Sequence, residues 1–209
     1  KNAVIYSNTD TDFYLRKRYD QDRSPLWFTQ VSNFREKKGH YYTIKAFEEF
    51  HRLYPDVNFI LNFVGDHANQ DPSLRNLVIR SNIADRLNFF GNKDRNEIKG
   101  ILEMTHIFVH NSITSRFNDQ EGIPNSIMEA MAMELPILAT RHSGIPELIS
   151  GEEDIFLSEE KNIDEYVENI RNSIHLPYSK KNRERIIDKF SIRSFKENIL
   201  GFYQSVLDD

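Results

Sequence analysis

Two glutamates, Glu121 and Glu129, lie eight positions apart, and Pro124 and Asn125 stand between them. Proline followed by asparagine at such a point marks the start of a helix. A helix start presents free backbone N–H groups and the positive end of the helix dipole, and both favour an anionic group such as phosphate. Glu121 precedes this helix and Glu129 lies about one turn inside it. Either carboxylate can accept hydrogen bonds from hydroxyl groups.

Carboxylates that flank a phosphate site suit a ligand that is part phosphate and part polyol, as a nucleotide sugar is. A structural alternative exists for both glutamates. Ser126 and Glu129 have the spacing of a capping box, in which Glu129 would only secure the start of the helix. Glu121 alone could be an ordinary loop carboxylate. The combination of two glutamates with a helix start favours the ligand site.

Short apolar runs and amphipathic segments alternate along the chain and must position these glutamates. Apolar residues after Asn125 recur at steps of three and four, as on a helix face, and a second helix is predicted after the loop 143–147. Buried strands are predicted at 26–31, 58–64, 87–91 (with its turn), 105–110 and 136–140, and a loop with a last short strand at 150–157. Further helices are predicted at 42–54, 74–83, 163–174 and 191–207 and after Asp94. This alternation predicts one α/β domain, a Rossmann-like three-layer α/β/α fold with a mainly parallel sheet.

Composition excludes several classes of protein. The 209-residue chain has a net charge of −5, which gives no electrostatic argument for binding nucleic acid. It contains no cysteine, so disulfides and cysteine-based metal sites are excluded. The mixed-charge run 180–185 is typical of a solvated helix face. No apolar stretch approaches the length of a membrane span and no signal peptide opens the chain. A cytoplasmic setting is the default expectation, and the inner face of the membrane is the alternative.

The segment EGIPNSIMEAMAMELPILATRHSGIPE, residues 121–147, resembles the signature of family 4 glycosyltransferases with the GT-B fold. It is most similar to the branch that builds bacterial exopolysaccharide and lipopolysaccharide. The resemblance covers residues 3–206 and falls entirely on the second, donor-binding half of that fold. It implies that residues 1–24 are an interdomain leader and that 25–209 form a nucleotide-sugar-binding domain ending in a crossover helix. The N-terminal, acceptor-binding domain is then absent from this chain.

The resemblance also implies roles for the matched residues. Lys38 would hold the donor diphosphate, Glu129 would bind the ribose, and Glu121, the candidate catalytic residue, would accept hydrogen bonds from the donor sugar. Asn92 would lie beside the nucleotide base. The remaining candidate contacts are the helix start, Gly122, Ile123, Pro124, Asn125 and Ser126. In this family a donor phosphate oxygen is thought to assist deprotonation of the acceptor, so no metal and no cofactor are expected.

The implied activity is transfer of a hexose-type sugar, with retention of configuration, to a glycan or lipid-linked acceptor in surface polysaccharide synthesis. The expected partners are a nucleotide sugar, UDP- or GDP-linked, the acceptor, and the missing N-terminal domain. Turnover is not expected from this chain alone.

The loop after the first strand departs from the family pattern. The family has an arginine five residues before the lysine that is Lys38 here, and both reach the donor pyrophosphate. The arginine position holds Asn33, which cannot supply charge-assisted contacts, and Arg35 is the candidate replacement. Glu134 and Asp154 also stand where glycine is usual. These departures support a second hypothesis, a nucleotide-sugar-binding or scaffold module that has lost transfer activity. A nucleotide-sugar epimerase or phosphorylase of the same fold is a third.

Two motifs are similar to metal sites, and neither is predicted to be one. Asp10 and Asp12 form a DxD sequence like that of the unrelated GT-A enzymes, but they lie in the leader and not at the end of a nucleotide-binding strand. His106 and His110 are four residues apart, which on a strand separates them by about 13 Å. Both histidines are predicted to be packing residues near the end of the sheet.

Overall fold

The computed structural model describes residues 5–19, 22–66, 72–151 and 154–207. The strands that it describes form one sheet in the order β3-β2-β1-β4-β5-β6, and every neighbouring pair is parallel. They are β1 (Leu26–Val31), β2 (Phe59–Val64), β3 (Leu87–Phe89), β4 (Ile107–His110), β5 (Ile137–Thr140) and β6 (Ile155–Ser158). This confirms the predicted Rossmann-like α/β fold.

Within the described residues, four helices lie between successive strands and three follow β6. They are α1 (His40–Leu53), α2 (Pro72–Arg80), α3 (Arg95–Met104), α4 (Asn125–Ala132), α5 (Ile163–Ser173), α6 (Lys180–Phe190) and α7 (Ile192–Leu207). Several begin at side-chain caps. The carboxylate of Asp94 accepts from the backbone N–H groups of Asn96 and Glu97 in a complete capping box, and Asn162 and Ser179 cap α5 and α6.

The helices cover both faces of the sheet, and strands such as β1, β2 and β4 bury side chains on both of their sides. The α1, α2 and α5 side packs on residues such as Phe28, Phe63 and Val109. The α3, α4 and α6 side packs on residues such as Phe108 and Ala139. Neighbouring residues of β4 therefore face opposite cores, and the domain has three layers.

Residues of the leader pack onto the second of these cores. Tyr14 is buried there, and the buried guanidinium of Arg16 donates to the carbonyls of Leu102 and Met133, both at 2.7 Å. Arg16 also donates to the carbonyl of Glu103 at 2.7 Å. The leader thus satisfies carbonyl groups at the C-terminal end of α3, which no helical N–H can reach.

Three details differ from the expectations. The second helix predicted after 143–147 is one short 3₁₀ turn, Ile145–Leu148, because the chain then turns back towards β6. The run 180–185 is only partly solvated, since Asn182 is fully buried and donates to the carbonyl of Leu135 at 2.8 Å. The apolar stripe of α7 is exposed at Val206 and only half-buried elsewhere. No helix in the described ranges has the length and apolar character needed to cross a membrane.

Candidate functional site

The candidate site lies at the carboxyl edge of the sheet, between β1 and β4. The chain leaves β1 towards α1 on one face and leaves β4 towards α4 on the other. Adjacent strands with diverging connections leave a crevice at their carboxyl ends, where open α/β sheets bind ligands. Lys38 and Glu121 follow these two strands, so the fold brings the two predicted residues to one crevice.

Lys38 is held at the crevice by its neighbours. It ends the 3₁₀ turn Glu36–Lys38, and its carbonyl accepts a hydrogen bond from Gln30 Nε2 at 2.8 Å. Gly39 follows with φ 65°, and a Cβ atom there would lie 1.6 Å from the carbonyl oxygen of Asn111. Only glycine fits both the left-handed backbone and the close approach. The loops after β1 and β4 are therefore in direct backbone contact beside Lys38.

The carboxylate of Glu121 accepts hydrogen bonds from three side chains. The ammonium of Lys38 and the hydroxyl of Ser112 donate to it, and Nε2 of His110 lies 3.1 Å from its Oε1. Burial alone would raise the pKa of Glu121, but the hydrogen bonds from His110, Lys38 and Ser112 outweigh burial and lower the pKa to about 2. Glu121 is therefore ionised at neutral pH and can accept hydrogen bonds from hydroxyls but cannot donate a proton.

His110, the last residue of β4, is completely buried. Burial lowers the pKa of His110, although Glu121 beside it acts in the opposite direction. We therefore assign a neutral imidazole that donates its one N–H from Nε2 to Glu121. The two groups form a charge-assisted hydrogen bond that fixes the orientation of the carboxylate.

The backbone beyond Glu121 enters α4 without a side-chain cap at Pro124. Within the described chain, the N–H groups of Gly122, Ile123 and Asn125 have no hydrogen-bond acceptor. The N–H of Glu121 itself donates to Nε2 of His142 at 3.3 Å. The start of α4 therefore offers free donors and the positive end of a helix dipole next to the Lys38–Glu121 pair.

Glu129 lies on α4 and faces the leader. The capping box with Ser126 does not form, since the helix begins at Asn125 without a side-chain cap, and the carboxylate of Glu129 instead lies near the hydroxyl of Tyr14. Burial raises the pKa of Glu129, with Tyr14 and the charge of Arg95 opposing it. The structural alternative of a capping role is thus wrong, and the carboxylate remains available to a ligand that replaces Tyr14.

The DxD-like sequence serves a local turn. Oδ1 of Asp10 accepts from the backbone N–H of Phe13 at 3.0 Å, and its Oδ2 pairs with Arg95 at 3.0 Å. The guanidinium of Arg95 also lies 4.0 Å from the ring centroid of Phe13. No group of three or more His, Asp or Glu side chains in the described ranges could hold a metal ion.

The other predicted contacts are spread along the same edge of the sheet. Oδ1 of Asn33 accepts from the backbone N–H of Asp66 at 3.3 Å, which joins the loops after β1 and β2. Asn92 follows Gly91, whose carbonyl accepts from the N–H of Gly65 at 2.9 Å. Arg35 lines a separate cavity of about 410 Å³ between α1, α2 and the loop at Ile113, and neither Lys38 nor Glu121 lines that cavity. His106 packs at the opposite end of β4, where its Nδ1 accepts from the N–H of Trp27 at 2.9 Å.

A family described as "Glycosyl transferases group 1" matches residues 14–190, most of the chain and all of the site. The chain belongs to the group 1 glycosyl transferases. The resemblance of the glutamate segment to GT-B glycosyltransferases is thereby confirmed.

Two relatives of this group 1 glycosyl transferase domain are named for the biosynthesis of colanic acid and amylovoran. It is 26% identical to the colanic acid biosynthesis glycosyltransferase WcaL of Escherichia coli K12, over 99% of this chain and 52% of the relative. It is 35% identical to the amylovoran biosynthesis glycosyltransferase AmsK of Erwinia amylovora, over 66% of this chain and 33% of the relative. The chain therefore spans about half the length of the first of these relatives and less of the second.

The fold is also that of a solved structure. Anabaena HepE, crystallised with UDP and glucose, superposes with a TM-score of 0.79 at 18% identity, over 97% of this chain and 56% of HepE. At this level of identity the likeness shows the fold alone.

Sequence reasoning missed four side chains at the site of this glycosyl transferase domain. They are His110 and Ser112, which bond Glu121 directly, and His142 and Glu160, which lie behind it. His110 was predicted to be a packing residue, and its burial confirms only that part. A usable signal was present, since polar residues that directly follow or end consecutive buried strands meet at one edge of a parallel sheet.

Proposed function

We propose that this chain is the donor-binding half of a glycosyltransferase that transfers a hexose-type sugar from a nucleotide sugar, UDP- or GDP-linked. The observation that carries the proposal is the Lys38–Glu121 pair at the crevice between β1 and β4, next to the uncapped start of α4. The crevice contains a cation and a row of free N–H groups, which suit a diphosphate, and a carboxylate that can accept hydrogen bonds from the hydroxyls of a sugar.

In this proposal Lys38 and the N–H groups at Gly122–Asn125 hold the diphosphate, and Ser126 adds a phosphate contact. Lys38 turns from Glu121 to the diphosphate when the donor binds, because the diphosphate carries more negative charge than the single carboxylate. The freed oxygen of Glu121 then accepts hydrogen bonds from hydroxyls of the donor sugar, beside the reacting carbon. Since these groups strengthen their contacts as negative charge develops on the leaving diphosphate, they stabilise the transition state.

Glu129 accepts hydrogen bonds from the ribose hydroxyls in place of the Tyr14 hydroxyl. Asn92 lies beside the base. Transfer proceeds with retention, by attack of the acceptor on the face from which the diphosphate leaves, and a donor phosphate oxygen assists its deprotonation. The protein's part is positioning and charge stabilisation, and no side chain acts as a nucleophile.

The acceptor, a glycan or lipid-linked saccharide in surface polysaccharide synthesis, would bind the other half of the GT-B fold. We place the reaction on the cytoplasmic side, at the inner face of the membrane. The names of the relatives in colanic acid and amylovoran synthesis support the assignment to polysaccharide synthesis. The chain alone is expected to bind donor and to transfer little or no sugar.

Calorimetric titration of the chain with UDP, GDP and ADP, and then with their sugar conjugates, tests the donor site. We expect one nucleotide to bind preferentially, and Glu129→Ala to weaken it by roughly 10- to 100-fold through loss of hydrogen bonds to a charged acceptor. Glu168→Ala, at an exposed carboxylate on α5, is the matched control and should bind as the unmodified chain does. Absence of binding by all nucleotides would contradict the proposal.

A second candidate function is a module that binds nucleotide sugar weakly and has lost transfer. Its support is Asn33, whose side-chain oxygen is used by the loop after β2 while Arg35 lines a separate cavity. Neither side chain therefore supplies a second cation next to Lys38 in this structure.

Asn33→Arg distinguishes the two functions. If the site lacks a second cation, the guanidinium should tighten nucleotide affinity by about tenfold or more through a bidentate phosphate contact. The titration above measures the change, and Asn58→Arg, at the opposite end of the strands, controls for added charge. An unchanged affinity would mean that another residue already fills the position and would argue against the weakened module.

A further inference from the structure

A chain of hydrogen bonds supports Glu121 from behind, and it fixes the tautomer of His142. The imidazole of His142 is buried, and its Nε2 accepts a hydrogen bond from the backbone N–H of Glu121 at 3.3 Å. Its Nδ1 lies 2.6 Å from Oε1 of Glu160. Because a backbone N–H can only donate, Nε2 must be unprotonated, and the proton of the neutral ring must be on Nδ1, donated to Glu160.

Glu160 also binds the other end of the loop that carries the site. It accepts from the backbone N–H of Thr114 at 2.7 Å and from the Thr114 hydroxyl at 3.3 Å. Gln120 Nε2 donates in turn to the Thr114 hydroxyl at 3.2 Å. One carboxylate, positioned after β6, therefore connects the beginning of the loop to its end at Glu121.

The residues that directly follow His142 and Glu160 have left-handed backbone conformations, which are unfavourable for residues other than glycine. Ser143 has φ 46° and Lys161 has φ 65°, and they directly follow His142 and Glu160. Left-handed backbone at residues other than glycine costs about 1–3 kcal/mol and persists where the surroundings enforce it. At both positions the left-handed residue follows a residue whose side chain bonds the loop between Thr114 and Glu121.

We propose that His142 and Glu160 are positioning residues for donor binding, which hold the loop that carries Ser112 and Glu121 against the carboxyl edge of the sheet. They act through the backbone of Glu121 and of Thr114, and not on the donor. Their effect is to keep the carboxylate of Glu121 and the following N–H groups directed into the crevice. The inference rests on the proposed function, because it names what keeps the proposed donor site in shape.

Glu160→Gln tests the proposal with little change in size. An amide places an NH₂ group against either Thr114 N–H or His142 Nδ1–H, so one of the bonds must be lost. We expect the affinity for the nucleotide that the unmodified chain prefers to fall about tenfold, the effect of one lost hydrogen bond to a charged group. Glu159→Gln is the matched control, because the carboxylate of the neighbouring Glu159 pairs with the exposed Arg141 at the surface. An affinity of Glu160→Gln within twofold of the control would overturn the proposal.

Two substitutions of His142 provide a second, independent comparison. The amide of asparagine can donate from the position of Nδ1 and so keep the hydrogen bond to Glu160. It is too short to accept from the backbone N–H of Glu121. Glutamine can place its oxygen near the position of Nε2 and keep the hydrogen bond from the backbone N–H of Glu121. We expect His142→Asn to bind nucleotide about tenfold more weakly than His142→Gln. Equal affinities would contradict a role through the Glu121 backbone.

The ¹⁵N spectrum of the His142 imidazole, at pH about 8, where an ordinary histidine is neutral, gives a readout that needs no ligand. The unmodified chain should show the Nδ1–H tautomer, and hydrogen exchange of the Glu121 amide should accelerate in Glu160→Gln but not in Glu159→Gln. An Nε2–H tautomer would overturn the inference. If the chain binds no nucleotide, the proposed function fails, and these spectra alone decide whether the two residues hold the loop.

Discussion

Replacing Gly39 with alanine is expected to lower the free energy of unfolding by about 4 kcal/mol, one of the largest single effects open to this chain. The alanine would have to keep φ 65° with its Cβ 1.6 Å from the carbonyl oxygen of Asn111 and 2.7 Å from its carbonyl carbon. Both are backbone atoms, so no side-chain rotation relieves the clash. Urea denaturation followed by far-UV circular dichroism measures the change.

Gly100→Ala is the matched control for this experiment. Gly100 lies in α3, and an added Cβ there would meet nothing within 4 Å. Alanine should therefore raise the free energy of unfolding by about 0.5–1 kcal/mol. If Gly39→Ala were as stable as Gly100→Ala, the two loops could not be in the close backbone contact described, and the position of Lys38 in the crevice would have to be revised.

Lys38→Met should reduce nucleotide affinity by about 100-fold, or roughly 2.7 kcal/mol. The methionine keeps the apolar part of the side chain and removes the charge that we expect to hold the diphosphate. The domain should remain folded, because Glu121 keeps its bonds from His110 and Ser112. Calorimetric titration measures the affinity, and the unfolding midpoint checks the fold.

Lys45→Met removes a comparable charge away from the crevice. Lys45 is on α1 and pairs with Glu48 at 2.9 Å, with its side chain 38% exposed. This variant should bind nucleotide as the unmodified chain does. Loss of binding in both variants, or in neither, would mean that Lys38 does not contact the diphosphate.

Most of the fold was predictable from the pattern of the sequence. Buried strands of a parallel sheet are apolar on both faces, so Leu26–Val31 and Phe59–Val64 are visible as apolar runs between polar loops. The helix predicted after the loop 143–147 was wrong because the local pattern says nothing of how soon the chain must return to the sheet. The ends of that segment are set by tertiary contacts, with Ile145 and Leu148 buried under α4 and α6.

The candidate site was predictable only in part, and for a different physical reason. Lys38 and Glu121 were identified from a resemblance, and the fold brings them into contact. His142 and Glu160 belong to loops after different strands, and only the register of β5 with β6 places them together. A spacing of 18 residues is not a signal of contact without that register. The role of Glu129 was ambiguous for the opposite reason, since a capping box and a ligand site have the same local sequence.

The order of the strands has a consequence for how the site is assembled during folding. Lys38 and Glu121 are 83 residues apart in the chain, and they meet only because β1 pairs with β4 at the centre of the sheet. The strands β1–β3 and β4–β6 can each pair with neighbours that are much closer in sequence. Because closing the longest loop requires the largest loss of chain entropy, the central pairing is expected to form last. Recovery of nucleotide binding would then report the final, rate-limiting step of folding, later than the recovery of helical structure.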